Sequence, residues 1–143
     1  MSVSPAPNAN RYTGPPLSEA RVRDVMRLGV VTCRPETPLR DVAAMMSGYG
    51  VHSVVVDRGD EGIGVVSDLD LAAAIIDLPE ATAGDTAGTE LVTVTGDDSL
   101  ELAARRMRTH DVHHLLVVDP ETGAPVGVVA ASGIAWAATY AGP

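Results

Sequence analysis

The stretch Gly64-Val65-Val66-Ser67-Asp68-Leu69-Asp70 puts a hydroxyl and a carboxylate where a predicted strand gives way to a predicted helix. Val65 and Val66 suit a pleated, covered surface, and the run from Leu69 to Ile76 turns helical. Free backbone N–H groups and the positive end of the helix dipole gather at such a start, which favours an anion such as phosphate. An ionised Asp offers only acceptors, so Asp70 can take two hydrogen bonds from a sugar diol. Ser67 and Asp70 could therefore hold the phosphate and ribose of a nucleotide. The same residues also read as a capping box, with Ser67 as N-cap and Asp70 returning a bond to its backbone. Taken alone, the cap is the plainer explanation.

Other reactive groups carry less. His110, His113 and His114 cluster with Asp111, but zinc wants three or four converging ligands. His113 and His114 begin a predicted strand, where neighbours point to opposite faces. No metal site is expected. A nucleophile needs a base within reach and a group to orient it. Ser67 has no such partner in a recognisable arrangement, and no phosphate-loop or dinucleotide glycine fingerprint appears. Cys33 lies in an apolar strand, as a small buried hydrophobe rather than a nucleophile. No catalytic site is expected, so the chain reads as a non-enzyme.

Composition narrows the class further. The 143 residues are 45% hydrophobic and 20% charged, which fits one globular domain with a real core. With no Phe, one Trp and three Tyr there is little to stack bases on. The net charge of −9 argues against a nucleic-acid partner. Arg105-Arg106-Met107-Arg108, the one basic cluster, reads as a solvated helix face. A single cysteine rules out an internal disulfide. No apolar run approaches the ~20 residues that span a bilayer, so no membrane partner is expected. Met1 to Pro16 lacks the apolar region of a signal peptide and reads as a floppy leader. The expected location is the cytoplasm.

The elements that must position Ser67 and Asp70 can be read in chain order. Leu17 to Arg27 reads as a short helix with Ser18 as N-cap, stopped by Gly29. Val30 to Cys33 is a strand, and Thr37-Pro38 opens a helix with Pro at its first position. Leu39, Val42, Ala43 and Met46 follow on one face, and Gly48 and Gly50 end it. Val51 to Val56 and Ile63 to Val66 are strands around a polar turn, Asp57 to Gly62. The rest of the chain repeats this order. Asp24 matches Asp85 (85 − 24 = 61), Leu39 matches Leu100 (100 − 39 = 61) and His52 matches His113 (113 − 52 = 61). After the second hairpin Gly64-Val65-Val66 matches Gly127-Val128-Val129 (127 − 64 = 63). Such a duplication fixes the fold before anything else does. Ala81 to Gly88 reads as a small polar linker and Ser132 to Tyr140 as the last helix, with Trp136 anchoring it to the sheet or to a partner chain.

The lead Val22-Arg23-Asp24-Val25-Met26, the Thr-Pro-Leu helix start, the strands ending Val55-Val56-Asp57 and Val117-Val118-Asp119, and both Gly-Val-Val segments occur in one order. Together they resemble a cystathionine-β-synthase (CBS) domain pair, also called a Bateman module, over roughly Leu17 to Tyr140. The resemblance implies an α/β (α+β) fold of tandem CBS repeats. Each repeat is β-α-β-β-α, related to the other by a pseudo-twofold axis, with two small sheets flanked by helices and a cleft on each side. The boundaries expected are a leader at 1–16, a first repeat at 17–78, a linker and lead segment at 79–90 and a second repeat at 91–140. It further implies a regulatory sensor that binds AMP, ADP, ATP or S-adenosylmethionine, assembles as a homodimer and acts on an unknown regulated protein, with no cofactor required.

The family's ligand motif is complete once, at Gly64, Val65, Val66, Ser67 and Asp70. By resemblance Ser67 contacts phosphate and Asp70 the ribose hydroxyls. Its second copy has Ala130 and Gly133 instead, so one competent cleft per chain is expected. The remaining walls, carried over by position, are His52 and Ser53 near ribose and phosphate, and Thr93, Val94, Val112 and His113 around adenine, with Val65, Val94 and Val112 sandwiching the ring. Related sites often carry an Arg at the position of Ser53, a role left here to Arg34 or Arg58. The rival expectation is a CBS-fold dimerisation or docking module that binds no nucleotide, in which Ser67 and Asp70 serve only as a cap.

Overall fold

The computed structural model describes residues 12–88 and 91–140. They form two compact units: Gly29–Val92, and the segment up to Leu28 together with everything from Thr93. The leader's first part, Met1 to Arg11, lies outside the described residues.

The Gly29–Val92 unit is built on a three-stranded sheet in the order β2 (Thr32–Cys33), β3 (Ser53–Asp57), β4 (Ile63–Ser67). The central strand β3 runs parallel to β2 and antiparallel to β4. Its apolar run Val54-Val55-Val56 is fully covered, as a strand packed on both faces requires. Val54 lies opposite Val66, and Ser53 lies opposite Ser67. Because side chains alternate, Val54, Val56 and Val66 enter the core while Ser53, Val65 and Ser67 share the other face. The core side is closed by α2 (Leu39–Tyr49), through Leu39, Val42 and Met46, and by α3 (Asp68–Asp77), through Leu71. The helix α2 runs through Gly48 and ends at Gly50, whose φ of 64° makes the left-handed cap.

The expected linker is not featureless. Thr82 and Asp85 close a capping box on a single helical turn, α4 (Ala83–Thr86). Ala83 and Ala87 enter the core of this unit. The turn is docked by backbone bonds from Ala83 N to Thr37 O (2.9 Å) and from Gly84 N to Pro35 O (2.8 Å).

The second unit carries a four-stranded sheet in the order β1 (Arg27–Leu28), β7 (Pro125–Ala130), β6 (His114–Val118), β5 (Thr93–Val94). It is covered by α5 (Leu100–His110) and α6 (Ala131–Tyr140). The expected helix over Leu17 to Arg27 is a single turn, α1 (Val22–Val25). Asp24 accepts from Arg21 N at 2.8 Å, and Arg27 leaves the helix to pair with Val128. Like α4, α1 docks by backbone bonds, from Val22 N to Asp98 O (2.8 Å) and from Arg23 N to Gly96 O (3.0 Å). The lead of the first repeat thus packs with the body of the second, and the lead of the second with the body of the first. Trp136 meets Tyr12 edge-on, with ring centroids 6.0 Å apart. Tyr12 is buried, so packing reaches back into the leader that was expected to be floppy.

The two bodies match in backbone detail. Val51 N donates to Met46 O and Val112 N to Met107 O, both at 3.0 Å. Where the first has Gly50, the second has Asp111 in the same left-handed region, at φ 52°. Asp57 and Asp119, the ends of the Val-Val-Asp marks, each turn a hairpin by accepting backbone N–H groups two or three residues on.

Candidate functional site

The predicted residues of the first repeat gather where β4 passes into α3. Ser67 is the N-cap of α3, and its Oγ accepts from Asp70 N at 3.1 Å. Asp70 Oδ2 accepts in turn from Ser67 N at 3.4 Å. The capping box is therefore realised, with a long return bond. Ser53 is buried beside it on β3 and Val65 is half-buried on the same face. His52 is exposed; its carbonyl accepts from Asp68 N at 2.9 Å and its Nδ1 stands 3.2 Å from Asp68 Oδ2.

Asp68 is the residue that sequence reasoning passed over. Its Oδ1 also accepts from Leu69 N at 2.8 Å. The backbone donors of Asp68, Leu69 and Asp70 are thus all taken, by His52 O, Asp68 Oδ1 and Ser67 Oγ. This corrects the expectation of free N–H groups awaiting a phosphate. The helix start is already satisfied and carries two carboxylates, with no basic residue in the last turn of α3. A further negative group there is repelled by those two carboxylates. The signal was in the sequence: an Asp at the first helical position competes for the donors that an anion would need.

Neither arginine considered for phosphate stands ready for that role. Arg58 donates through Nη2 to Gly84 O (3.0 Å) and Ala87 O (3.5 Å), tying the β3–β4 hairpin to α4. Arg34 donates through Nε to Glu36 at 2.8 Å. A groove of about 550 Å³ in the same unit, lined by residues including Pro38, Arg40, Ile75 and Thr82, contains none of the predicted site residues.

The remaining predicted residues belong to the second unit. Thr93 is half-buried on β5, and its carbonyl accepts from Arg106 Nη1 at 2.6 Å. Val94 pairs with Val117 and is only 1% exposed. Its side chain is part of the core of this unit. Val112 is half-buried and His113 exposed, both in the turn between α5 and β6. His110 ends α5, while His114 begins β6. Among the described residues no group of three or more His, Cys, Asp or Glu could hold a metal ion, and no helix is long and apolar enough to cross a membrane. Burial pushes the Cys33 thiol up from its ordinary pKa, which keeps it protonated and inert.

The second junction has the backbone of the first without its chemistry. Ala131 N donates to His113 O at 2.8 Å, as Asp68 N does to His52 O. Ala130 ends β7 where Ser67 ends β4, and Gly133 stands where Asp70 stands. A Cβ at Gly133 would lie 3.6 Å from Val25 O, an ordinary contact, so crowding does not force the glycine.

A family model described as the CBS domain matches residues 22–77 and again 83–138. Among curated proteins the chain is similar to a homoserine O-acetyltransferase of Methanosphaerula palustris, 29% identical over 119 residues. That match covers 82% of this chain but 24% of the relative, so the chain spans about a quarter of the relative's length. Among solved structures it is similar to the CBS domain pair of protein MJ0100 in complex with 5′-methylthioadenosine and S-adenosyl-L-methionine. There the TM-score is 0.73 at 17% identity, over 81% of this chain and 93% of that one. It is also similar to CBSX2 in complex with AMP, with a TM-score of 0.64 at 27% identity, over 84% of this chain and 96% of that one.

Proposed function

The chain belongs to the CBS domain family, and from that membership we propose that it is a cytoplasmic, homodimeric sensor for an adenosine-containing ligand. The ligand is held at the β4–α3 junction of the first repeat, and its occupancy regulates a partner protein. The observation that carries this reading is the asymmetry between two junctions of like backbone. One retains a hydroxyl and a carboxylate a turn apart, at Ser67 and Asp70; the other has Ala130 and Gly133. CBSX2, solved with AMP, supports the ligand class.

In this reading Asp70 accepts from the ribose diol, which takes the place of its long bond to Ser67 N. Asp68 and Asp70 favour a ligand of less negative charge than ATP, S-adenosylmethionine before AMP. His52 and Ser53 flank the ribose, and Val65 lies against the base. No residue is assigned a catalytic role, and no metal or cofactor is required.

The test is a thermal-shift titration with adenosine, AMP, ATP and S-adenosylmethionine. A ligand of the folded state at about 100 times its Kd adds about 2.7 kcal/mol of stability. S-adenosylmethionine or AMP should raise Tm more than ATP, and Asp70→Ala should remove the shift. If none of these compounds moves Tm at millimolar concentration, the sensor reading fails. The rival reading, a docking module with no ligand, then stands on the completed capping box.

A further inference from the structure

The groove between the start of α2 and the end of α3 has no part in the reading above. Pro38, Ile75 and Pro79 give it apolar walls, and Arg40, Glu80 and Thr82 bring polar groups to its lining. Its volume of about 550 Å³ falls within the roughly 300–1,000 Å³ of small-molecule sites. Thr82 is already committed. Its N–H donates to Asp85 Oδ2 at 3.0 Å, its Oγ1 accepts from Asp85 N at 3.4 Å and its carbonyl accepts from Thr86 Oγ1 at 2.9 Å. The side chains of Arg40 and Glu80 are exposed and make no hydrogen bond or ion pair among the described residues, with each other or with anything else. The groove's open side-chain chemistry is thus one guanidinium and one carboxylate.

Nothing in the fold calls for Arg40. It stands in the first turn of α2, at the positive end of the helix dipole, where a cation is disfavoured. In the second repeat the matching residue is Glu101 (101 − 40 = 61), an acid in the first turn of α5 that also pairs with Arg105 at 2.6 Å. One turn past Arg40 stands Ala44 (44 − 40 = 4), which offers no partner. Other arginines are committed to the fold: Arg23 to Asp97, Arg34 to Glu36, Arg58 to Gly84 O and Arg106 to Thr93 O. Arg40 instead leaves its charge open on an apolar groove that Glu80 also lines.

We propose that this groove binds a free α-amino acid with an apolar side chain. The ligand's carboxylate takes the Arg40 guanidinium, whose forked N–H donors match a carboxylate. Its ammonium donates to Glu80, which as an ionised acid only accepts. Its side chain lies against Pro38, Ile75 and Pro79, and the burial supplies the apolar share of the affinity. Charge complementarity selects the zwitterion: Glu80 repels a plain carboxylate, and Arg40 repels a plain amine. The groove lies wholly within the Gly29–Val92 unit and shares no residue with Ser67, Asp70 or the other predicted ligand contacts. The inference therefore stands apart from the adenosine ligand.

The test is isothermal titration calorimetry of the full chain with L-leucine, N-acetylleucine and leucinamide, the last two each lacking one of the two charges. Leucine should bind with a Kd of about 1 mM or tighter, and each analogue about ten-fold more weakly. Arg40→Gln and Glu80→Gln should each weaken leucine by about the same ten-fold. Both side chains are exposed, so neither change disturbs the core. Glu101→Gln, at the place of Arg40 in the second repeat, should leave leucine binding intact. No heat from leucine at about 10 mM, or binding that Arg40→Gln leaves unchanged, would overturn the site. N-acetylleucine binding as tightly as leucine would overturn it too, since the groove would then be reading the end of a peptide. A chain that binds leucine but no adenosine compound still supports it.

Discussion

At the end of β4 the backbone of Asp68 reaches His52 O at 2.9 Å, and at the end of β7 the backbone of Ala131 reaches His113 O at 2.8 Å. The two junctions are one scaffold built twice. On the first, His52 O, Asp68 Oδ1 and Ser67 Oγ take the helix's first donors while Asp70 accepts from Ser67 N; on the second, Ala130, Ala131 and Gly133 offer neither hydroxyl nor charge. Capping alone explains the first junction as a local structure, but it does not explain why the second does without it. The helix α6 forms without that box. The proposed ligand role of Ser67 and Asp70 is what the difference between the junctions would test.

If the scaffolds are equivalent, damage to their cores should be equivalent too, and this is the largest effect. Val66 and Val129 are both fully buried. Trimming either to Ala should cost about 2 kcal/mol through lost burial and the cavity left behind, read by urea denaturation. Costs differing by more than about 1 kcal/mol would break the equivalence.

The next effect separates cap from ligand site. Ser67→Ala should cost about 1 kcal/mol in the absence of ligand, the usual value of an N-cap hydroxyl. Ser99→Ala on α5, whose Oγ accepts from Leu102 N at 3.0 Å, should cost about the same. Only the first should also weaken an adenosine ligand. Equal ligand responses in the two variants would return Ser67 to a purely capping role.

A third experiment builds the missing chemistry. Ala130→Ser with Gly133→Asp should complete a cap on α6 and stabilise the chain by about 1 kcal/mol, because the added Cβ at Gly133 meets only an ordinary contact with Val25 O. Calorimetry of the same variant asks whether the grafted pair raises the number of ligands bound per chain. A destabilised graft would mean that the junctions differ in more than side chains.

Much of this was legible in the sequence, and the reasons are local. The repeat marks have direct physical roles: Asp24 and Asp85 each accept the N-cap backbone N–H of a lead turn, at Arg21 N and Thr82 N. Asp57 and Asp119 turn the hairpins. Local bonds of this kind recur at fixed spacing, so they can be read from one chain. Less legible was anything set at long range. Nothing in the periodicity of Leu17 to Arg27 says that its helix ends at Val25 because Arg27 and Leu28 are claimed by β7. Nothing in Ala81 to Gly88 says that Ala83 fills a core position. The donors of α3 were legible in part: Ser67 Oγ and Asp68 Oδ1 take two of them locally, while the third goes to the carbonyl of His52, sixteen residues earlier (68 − 52 = 16).

The smallest effect tests the hairpins that hold the two junctions. Backbone N–H bonds from Thr122 and Glu121 hold the carboxyl of Asp119 below the usual carboxylate range. A lowered pKa in the folded state means that the ionised form is bound more tightly by the fold than by the open chain. Its contribution is therefore complete above the unfolded carboxylate value of about 3.9, and is lost as pH falls through the lower folded value. Asp119→Asn keeps a side-chain oxygen that can accept but removes the titration. The variant should unfold over a shallower acid limb than the parent below about pH 4, with the two curves running parallel above it. Asp119 sits in a surface turn and is only half-buried, so the difference should be small, and ionic strength should reduce it further. An acid limb unchanged by the substitution would mean that Asp119 holds its turn by shape alone.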